Sequence, residues 1–428
     1  MNSLMFLNKS NDNNVGVIFK SGFFFVRNFL LGFILIGSFG FTMAQEKTPV
    51  ILMHYMGWYG DTINYTKSDS LRHWKFGHAQ QPLIGQYDSK TPSLLIYHIL
   101  LSWSCGIDGV VINVKDAYDD ICMKNMISTL KTIQKIDSLN FKYEFAISYD
   151  DQGFDLSSPF DTAISKLSFL RDSILPYINN YVRYNGHPII FSFDYPNKYL
   201  TAKGFRSVIN DVFKENKPLL IWNTLDGAED NVELVDAYYP WVQPGAQWDK
   251  KNGLIWGKDY LDYYYSKVNE INRENKFGFT CGGVWPGFDD RKNTSWGGDR
   301  LMQRQNGIVY DSTWSYILSY NKPLPLKFVV IETWNDWNEG TEIEPSIEDG
   351  YKYLELTIKN VNRLKGKNID GNITKFEAAK AIYNSSFLIE NKLRQYDIYY
   401  PLLEASISSF LKQEYKESIL ISYKIIHL

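Results

Sequence analysis

The chain has 428 residues, of which 44% are hydrophobic and 22% charged, so it is long and apolar enough to fold around a large core. Its 45 basic and 48 acidic side chains leave a formal net charge of −3, which excludes the broad basic surface that a nucleic-acid partner requires. Aromatic residues make up 16% of the sequence, more than a core of this size needs. We therefore expect some of the rings to face a ligand.

Residues 1–44 have the pattern of a secretory signal peptide. Two basic residues precede an apolar run over 29–41, and Thr42 and Ala44 place small side chains just before a cleavage site at Gln45. A membrane anchor is the alternative, but the run is shorter than the roughly 20 residues that cross a bilayer. The sequence predicts a secreted or periplasmic product whose mature chain does not span a membrane.

The cysteines and histidines do not have the spacing of a metal site. Cys105, Cys122 and Cys281 are odd in number and far apart, so they define neither a disulfide framework nor a zinc site, although one bridge among them remains open. The six histidines are scattered and lack a paired-ligand spacing. We expect buried thiols, no metal and no cofactor.

From Pro49 onward, short β-branched or aromatic runs alternate with longer segments of helical period, among them 93–104, 121–138 and 259–274. Such alternation predicts βα units around a parallel sheet, and eight of them fit a (β/α)8 barrel. An open doubly wound sheet is the alternative, but no glycine-rich phosphate turn follows an early strand. The predicted strands are Val50–Tyr55, Gly109–Val114, Phe141–Ser148, Pro188–Phe193, Pro218–Trp222, Ala237–Trp241, Phe277–Gly282 and Lys327–Thr333.

The pattern changes near Gly366, and this change gives the predicted domains. Residues 45–365 are expected to form the barrel, a TIM-barrel catalytic domain of the α/β class. Residues 366–428 are expected to form a C-terminal helical extension, with helices over 375–383, 386–395 and 399–425. No catalytic constellation is present in this extension, so we expect it to cap the barrel or to form a docking module.

Aromatic, acidic and amide residues cluster just after the predicted strands. In a (β/α)8 barrel the loops at the carboxyl ends of the strands build the active site. Rings with carboxylates suit a sugar, which has apolar C–H faces and a rim of hydroxyls. The sequence therefore predicts a carbohydrate site, with candidate substrate-binding residues Trp58, Tyr59, Asp150, Asp151, Asp194, Trp222, Trp285 and Asp289.

The densest motif covers residues 332–345, at the end of the last predicted strand. Hydrolysis of a glycosidic bond needs one carboxylic acid to protonate the leaving oxygen and a second carboxylate beside the anomeric carbon. Asp336 and Glu339 are the candidate catalytic pair, because they are close enough in one loop to enter the same pocket. A merely solvated acidic loop is the alternative, but such a loop has no use for two tryptophans. The other candidate substrate-binding residues of this motif are Trp334, Trp337, Glu332 and Glu342.

The 332–345 motif resembles the signature of glycoside hydrolase family 99 and of the related 71/99-like group. Three further stretches support the resemblance, and together with the 332–345 motif they follow one another in barrel order: 82–89 leading to 106–111, 145–151, and 286–291 with 307–314. The resemblance implies a retaining endo-α-mannosidase-like enzyme in which the 2-hydroxyl of the sugar attacks the anomeric carbon. It implies that Glu339 is the acid/base and that Asp336 deprotonates the 2-hydroxyl. The family has glutamate where this chain has Asp336.

Three functions are compatible with these patterns. The first is a secreted glycoside hydrolase that cleaves an α-linked polysaccharide or oligosaccharide, with mannan the first candidate. The second is a non-catalytic glycan-binding barrel, with Asp336 as the sign of lost turnover. The third is a role in surface-polysaccharide assembly, against which the signal peptide argues because activated sugar donors are cytoplasmic.

Overall fold

The computed structural model describes residues 48–60, 72–151, 158–176, 178–193, 200–223, 225, 231–244, 257–271, 273, 278–320, 322–391 and 396–427. The predicted signal peptide over 1–44 lies outside these residues, as does Asp194. Residues 48–428 form one compact unit, so the barrel and the helices that follow it fold together.

Eight parallel strands of the described chain form one barrel sheet, in which hydrogen-bonded neighbours run in the order β6-β5-β4-β3-β2-β1-β8-β7. The register places Leu52 of β1 opposite Gly109 of β2 and Met53 opposite Ile331 of β8. Every residue of β2 is buried, as expected for strands covered by helices outside and by side chains inside. The predicted (β/α)8 fold is confirmed. The strands are β1 (Val50–Tyr55), β2 (Gly109–Val114), β3 (Glu144–Asp150), β4 (His187–Phe193), β5 (Leu219–Trp222), β6 (Ala237–Tyr238), β7 (Thr280–Val284) and β8 (Leu326–Ile331).

The barrel closes between β6 and β7 without a hydrogen-bonded ladder among the described residues. A Cβ atom on Gly283 would lie 2.8 Å from the carbonyl oxygen of Pro240, so glycine lets β7 approach the end of β6 closely. The hydroxyl of Tyr264 lies 2.7 Å from the carbonyl oxygen of Tyr238 and 2.9 Å from that of Cys281. One phenol thus bridges the two strands where backbone pairing stops.

Replacing Tyr264 by phenylalanine should lower the free energy of unfolding by about 1 kcal/mol, because two buried carbonyl groups lose their donor. Urea denaturation measures this loss. Tyr263→Phe is the matched control, since Tyr263 is a half-exposed neighbour on the same helix. Equal losses in the two variants would show that the closure does not depend on the Tyr264 hydroxyl.

Ten helices surround the sheet in the described chain, and several bounds differ from the prediction. Helix α2 begins four residues before the predicted start, because the Asp116 side chain accepts backbone hydrogen bonds in a capping box with Asp119. The bounds are α1 (Pro92–Ser104), α2 (Ala117–Ile136), α3 (Pro159–Phe169), α4 (Ala202–Val212), α5 (Lys258–Ile271), α6 (Ile308–Leu318), α7 (Lys352–Lys365), α8 (Thr374–Asn391), α9 (Tyr396–Leu411) and α10 (Tyr415–Ile426).

The C-terminal segment contains three helices, with breaks in places that the sequence did not predict. The predicted helix over 399–425 is interrupted at Gln413, which takes a left-handed conformation with φ 65°. Conversely, α8 runs through the gap predicted near residue 384. Helix α8 packs on α1 of the barrel, where Glu390 accepts hydrogen bonds from the backbone and hydroxyl of Ser93. The extension therefore covers the α1 side of the barrel.

The three cysteines are buried and free, so no bridge forms among them. In the part of the chain that the structure describes, no helix is both long and apolar enough to cross a membrane.

Candidate active site

The 332–345 loop is held against the segment that follows β1. Asn335 accepts a hydrogen bond from the Met56 N–H at 2.8 Å and donates one to the Met56 carbonyl at 2.9 Å. The Tyr59 hydroxyl accepts a hydrogen bond from the Trp337 N–H at 2.8 Å. Tyr59, predicted to bind substrate, is itself fully buried, so its observed role is to anchor the loop.

Asp336 and Glu339 lie in one tight turn of this loop. The Asp336 N–H donates to the hydroxyl oxygen of Thr333 at 2.7 Å, and the Glu339 N–H donates to the Asp336 carboxylate at 3.2 Å. Asp336 is 2% exposed, whereas Glu339 is partly exposed. The structure therefore brings the two predicted catalytic carboxyl groups together at the carboxyl end of β8.

A second loop places Trp296 next to Glu339. A short hairpin pairs Phe288–Asp289 with Leu301–Met302. Above it the buried carboxylate of Asp290 accepts hydrogen bonds from the Gly298 and Arg300 N–H groups at 2.8 and 2.7 Å. The Trp296 indole N–H then donates to the Glu339 carboxylate at 2.9 Å. Neither Trp296 nor Arg300 was predicted from the sequence, in which the sole signal was a tryptophan beside two glycines, close to the 286–291 segment.

Glycine is required where the two loops meet. Gly340 has φ +61°, and a Cβ atom there would lie 2.9 Å from the backbone nitrogen of Asp289. That nitrogen donates to the Glu339 carbonyl at 2.7 Å. A side chain at position 340 would both strain the backbone and push the hairpin away from Glu339.

The two carboxyl groups hold protons more tightly than ordinary carboxyls. Burial raises the pKa of Asp336 well above its usual value, and the negative charge of Glu339 raises it further. Burial also raises the pKa of Glu339, while the Trp296 N–H and the Arg300 and Lys115 cations act in the opposite direction. The buried Asp336 carboxyl does not ionise readily beside a second negative charge. The pair is therefore suited to carry one proton, with one member as acid and the other as base.

A cluster of aromatic rings packs next to Trp296, the hydrogen-bond partner of Glu339. Trp58 stacks on His73 with ring centroids 4.5 Å apart and planes 18° apart. Trp296 lies edge-on to Trp58 at 6.4 Å, and the Lys115 ammonium lies 5.6 Å from the Trp58 ring centre. Trp58 was predicted from the sequence, whereas the stacked His73 was not.

The other four predicted tryptophans lie in the apolar core. The Trp337 indole N–H donates to Tyr87 and Glu344, and Trp334 packs edge-on against His98 of α1. Trp222 and Trp285 pack against helix residues of α4 and α5. These four rings are buried in the core, so we do not assign them contacts with a sugar.

The remaining predicted carboxylates occupy different places. Asp150 accepts a hydrogen bond from Asn113 across the ends of β2 and β3 at 3.2 Å, and Asp151 accepts one from the Leu200 N–H at 3.0 Å. Asp289 forms an ion pair with Arg291. Glu342 and Glu332, both buried, pair with Arg304 and His54, respectively. Within the described residues, no group of three histidine, cysteine or acidic side chains could hold a metal ion.

The stability of the fold should depend on pH through Glu342. Burial raises the pKa of Glu342 from its usual value to about 7, although Arg304 opposes the shift. A carboxyl group with a raised pKa stabilises the folded state at low pH, and this contribution is lost as the pH rises from about 4.3 through 7. Between pH 4.5 and 8, the free energy of unfolding should therefore fall by about 1–3 kcal/mol less in Glu342→Gln than in the wild type.

Chemical denaturation at a series of pH values measures this slope. Glu355→Gln, on the exposed side of α7, makes the same change of charge and serves as the control. An unchanged slope in Glu342→Gln would mean that Glu342 does not titrate in this range.

The family model "Glycosyltransferase WbsX" matches residues 172–357, a segment that includes the Asp336–Glu339 loop. The GH99 endo-α-mannosidase of Bacteroides thetaiotaomicron, in complex with BIS-TRIS-propane, is 17% identical with a TM-score of 0.56, over 74% of this chain and 97% of that one. The chain has the fold of this GH99 enzyme.

Two further solved structures agree with this likeness. Another structure of the Bacteroides thetaiotaomicron GH99 endo-α-mannosidase is 16% identical with a TM-score of 0.54, over 74% of this chain and 98% of that one. A "glycoside hydrolase-like protein" is 14% identical with a TM-score of 0.53, over 73% and 94%. No protein of curated function matches the sequence. The resemblance to family 99 inferred from the motifs is thus confirmed at the level of the fold.

Proposed function

We propose that this GH99-like barrel is a glycoside hydrolase that cleaves α-linked glycans with retention of configuration. The observation that carries the proposal is the pair of carboxyl groups of Asp336 and Glu339, which share one turn at the carboxyl end of β8, where the negative charge of Glu339 raises the pKa of Asp336. The Trp58–His73–Trp296 wall beside the pair supplies rings for the apolar face of a sugar.

The proposed reaction divides the work between the two carboxyl groups. In the reactive state the shared proton is on Glu339, which gives it to the leaving glycosidic oxygen as the bond to the anomeric carbon breaks. Asp336, ionised, takes the proton of the sugar's 2-hydroxyl, whose oxygen forms a bond to the same carbon and gives a 1,2-anhydro sugar. Water then opens this ring with the two residues in reversed roles, which restores both protonation states and the original anomeric configuration.

A product screen on a panel of α- and β-linked glycans, with α-mannan first, tests the proposal. We expect new reducing ends from at least one α-linked glycan and from no β-linked one. Binding of a glycan without turnover would replace the proposal with a non-catalytic glycan-binding barrel.

Sugar transfer is a second candidate, because the matching family model is described as a glycosyltransferase and covers the catalytic loop. A transferase would move a sugar from an activated donor to a glycan acceptor instead of to water. Incubation with nucleotide sugars and the same glycan panel separates the two activities. Extended glycans made without new reducing ends would favour transfer.

We also propose that the protein works outside the cytoplasm, on the basis of the predicted signal peptide over 1–44. Expression in a bacterial host with an intact secretion pathway should yield a mature chain that begins near Gln45, as measured by N-terminal sequencing of the secreted fraction. Recovery of the intact leader in the membrane fraction would instead indicate an anchor.

A further inference from the structure

A second buried pair of titratable side chains lies at the carboxyl ends of the strands. The Nδ1 atom of His54, in β1, lies 3.0 Å from an oxygen of Glu332, which follows β8. His54 is 1% exposed and Glu332 is fully buried. Neither residue has a place in the proton transfers assigned to Asp336 and Glu339.

The pair faces the interior of the barrel. The His54 ring meets Trp241 edge-on, with ring centroids 5.1 Å apart and planes 84° apart. Trp241 follows β6, which is separated from β1 by β7 and β8 around the sheet. Rings from these two positions can meet only across the barrel axis. Trp241 is partly exposed, so the His54 ring lies beside a side chain that solvent reaches at the carboxyl ends of the strands.

Two polar atoms of the pair have no hydrogen-bond partner among the described residues. These atoms are Nε2 of His54 and Oε1 of Glu332, and both are buried. An unpaired buried polar atom costs about 1–3 kcal/mol, so proteins rarely leave two side by side without a use for them. The arrangement therefore indicates a ligand that supplies hydrogen bonds to both.

A second histidine–glutamate pair in the same barrel shows what a purely structural arrangement looks like. His98 of α1 and Glu344 are also 3.0 Å apart and fully buried. Both remaining polar positions are filled there, since Tyr55 lies 3.1 Å from His98 Nδ1 and Tyr87 donates to Glu344 at 2.6 Å. The His54–Glu332 pair differs in having its outer atoms unfilled and in facing the barrel axis.

We propose that His54 and Glu332 form the deepest glycan subsite and bind two hydroxyl groups of a single sugar ring. This inference rests on the proposed glycosidase function and adds a determinant of substrate choice to it. With the Nδ1 proton directed at Glu332, Nε2 accepts one hydroxyl proton and Oε1 accepts another. A sugar that lacks either hydroxyl leaves a buried acceptor unpaired, and sites of this kind discriminate strongly.

The test compares variants that cannot turn substrate over. In a Glu339→Gln background, calorimetry measures the dissociation constants of α-mannobiose to α-mannotetraose and of their monodeoxy derivatives, or of the equivalent series for another glycan that the wild type cleaves. We expect at least one deoxy derivative to bind the Glu339→Gln variant 10- to 100-fold more weakly than the intact sugar does. Adding Glu332→Gln should weaken binding of the intact sugar by a similar factor and abolish this discrimination.

Glu344→Gln provides the matched control, because it alters the other buried pair. It should lower the melting temperature while the ratio between intact and deoxy sugars stays the same. If Glu332→Gln fails to fold, His54→Gln takes its place, since it removes the Nε2 acceptor and keeps a polar group beside Glu332.

Two outcomes contradict the inference in distinguishable ways. If the wild type cleaves a glycan but Glu332→Gln and His54→Gln retain its affinity and its discrimination, the pair is structural and only this inference fails. If the wild type neither cleaves nor binds any glycan of the panel, the proposed function fails first and the inference fails with it.

Discussion

Replacing Glu339 by glutamine is expected to reduce hydrolysis of natural glycans by about 10²- to 10⁴-fold, because the leaving alkoxide then has no proton donor. Glutamine keeps the size of the side chain and can still meet the Trp296 indole, so folding and sugar binding should survive. An aryl glycoside with a good leaving group needs little protonation and should lose far less activity. The ratio of kcat/KM values for the two substrate types measures the effect.

Glu348→Gln is the matched control for this experiment. Glu348 is an exposed carboxylate nine residues further along the chain, and it accepts a backbone hydrogen bond from Gln81. Its replacement should leave both substrates unaffected. An equal loss on natural and aryl substrates in Glu339→Gln would contradict the role of Glu339 as proton donor.

Replacing Asp336 by asparagine is expected to slow natural and aryl substrates alike, also by about 10²- to 10⁴-fold, because the 2-hydroxyl then lacks its base. Binding should persist, since the aromatic wall around Trp58 and Trp296 is unchanged. Asp336→Glu tests the departure from the family motif. It keeps a carboxylate one methylene longer, so it should retain more activity than the asparagine variant.

Proton NMR during turnover provides the stereochemical check on this mechanism. Attack by the 2-hydroxyl and then by water inverts the anomeric carbon twice, so the first product should have the configuration of the substrate. An inverted product, or an Asp336→Asn variant as active as the wild type, would remove the assigned role and point to Glu332 or Asp150 as the partner of Glu339.

The partners of Glu339 include residues that are far from it along the chain. The indole of Trp296, 43 residues away along the chain, donates to Glu339. Trp296 is held there because the buried Asp290 accepts hydrogen bonds from the backbone of the same loop. His54 and Glu332 are 278 residues apart. No local pattern predicts such pairs, since the contacts exist only after β1 and β8 become neighbours and the hairpin docks on the loop.

The same limit applies to the aromatic residues. The sequence predicted that tryptophans after the strands would face a sugar, but a ring suits a ligand and a core equally well. Trp58 contacts Trp296, the partner of Glu339, whereas Trp334 packs against His98 and Trp337 donates to Tyr87. The outcome for each ring depended on which neighbours it packs against in the folded protein.

The sequence by itself determined the barrel and singled out the pair of carboxyl groups to which we assign catalysis. Parallel strands are buried on both faces, so they appear as short apolar runs that can be counted, and their order around the barrel follows chain order. Asp336 and Glu339 were identifiable because they lie in a single loop, where spacing along the chain is already proximity in space. The tertiary structure alone decided their electrostatic surroundings and the His54–Glu332 pair, because burial and long-range contact, which set pKa values and leave polar atoms unpaired, arise only when distant segments pack together.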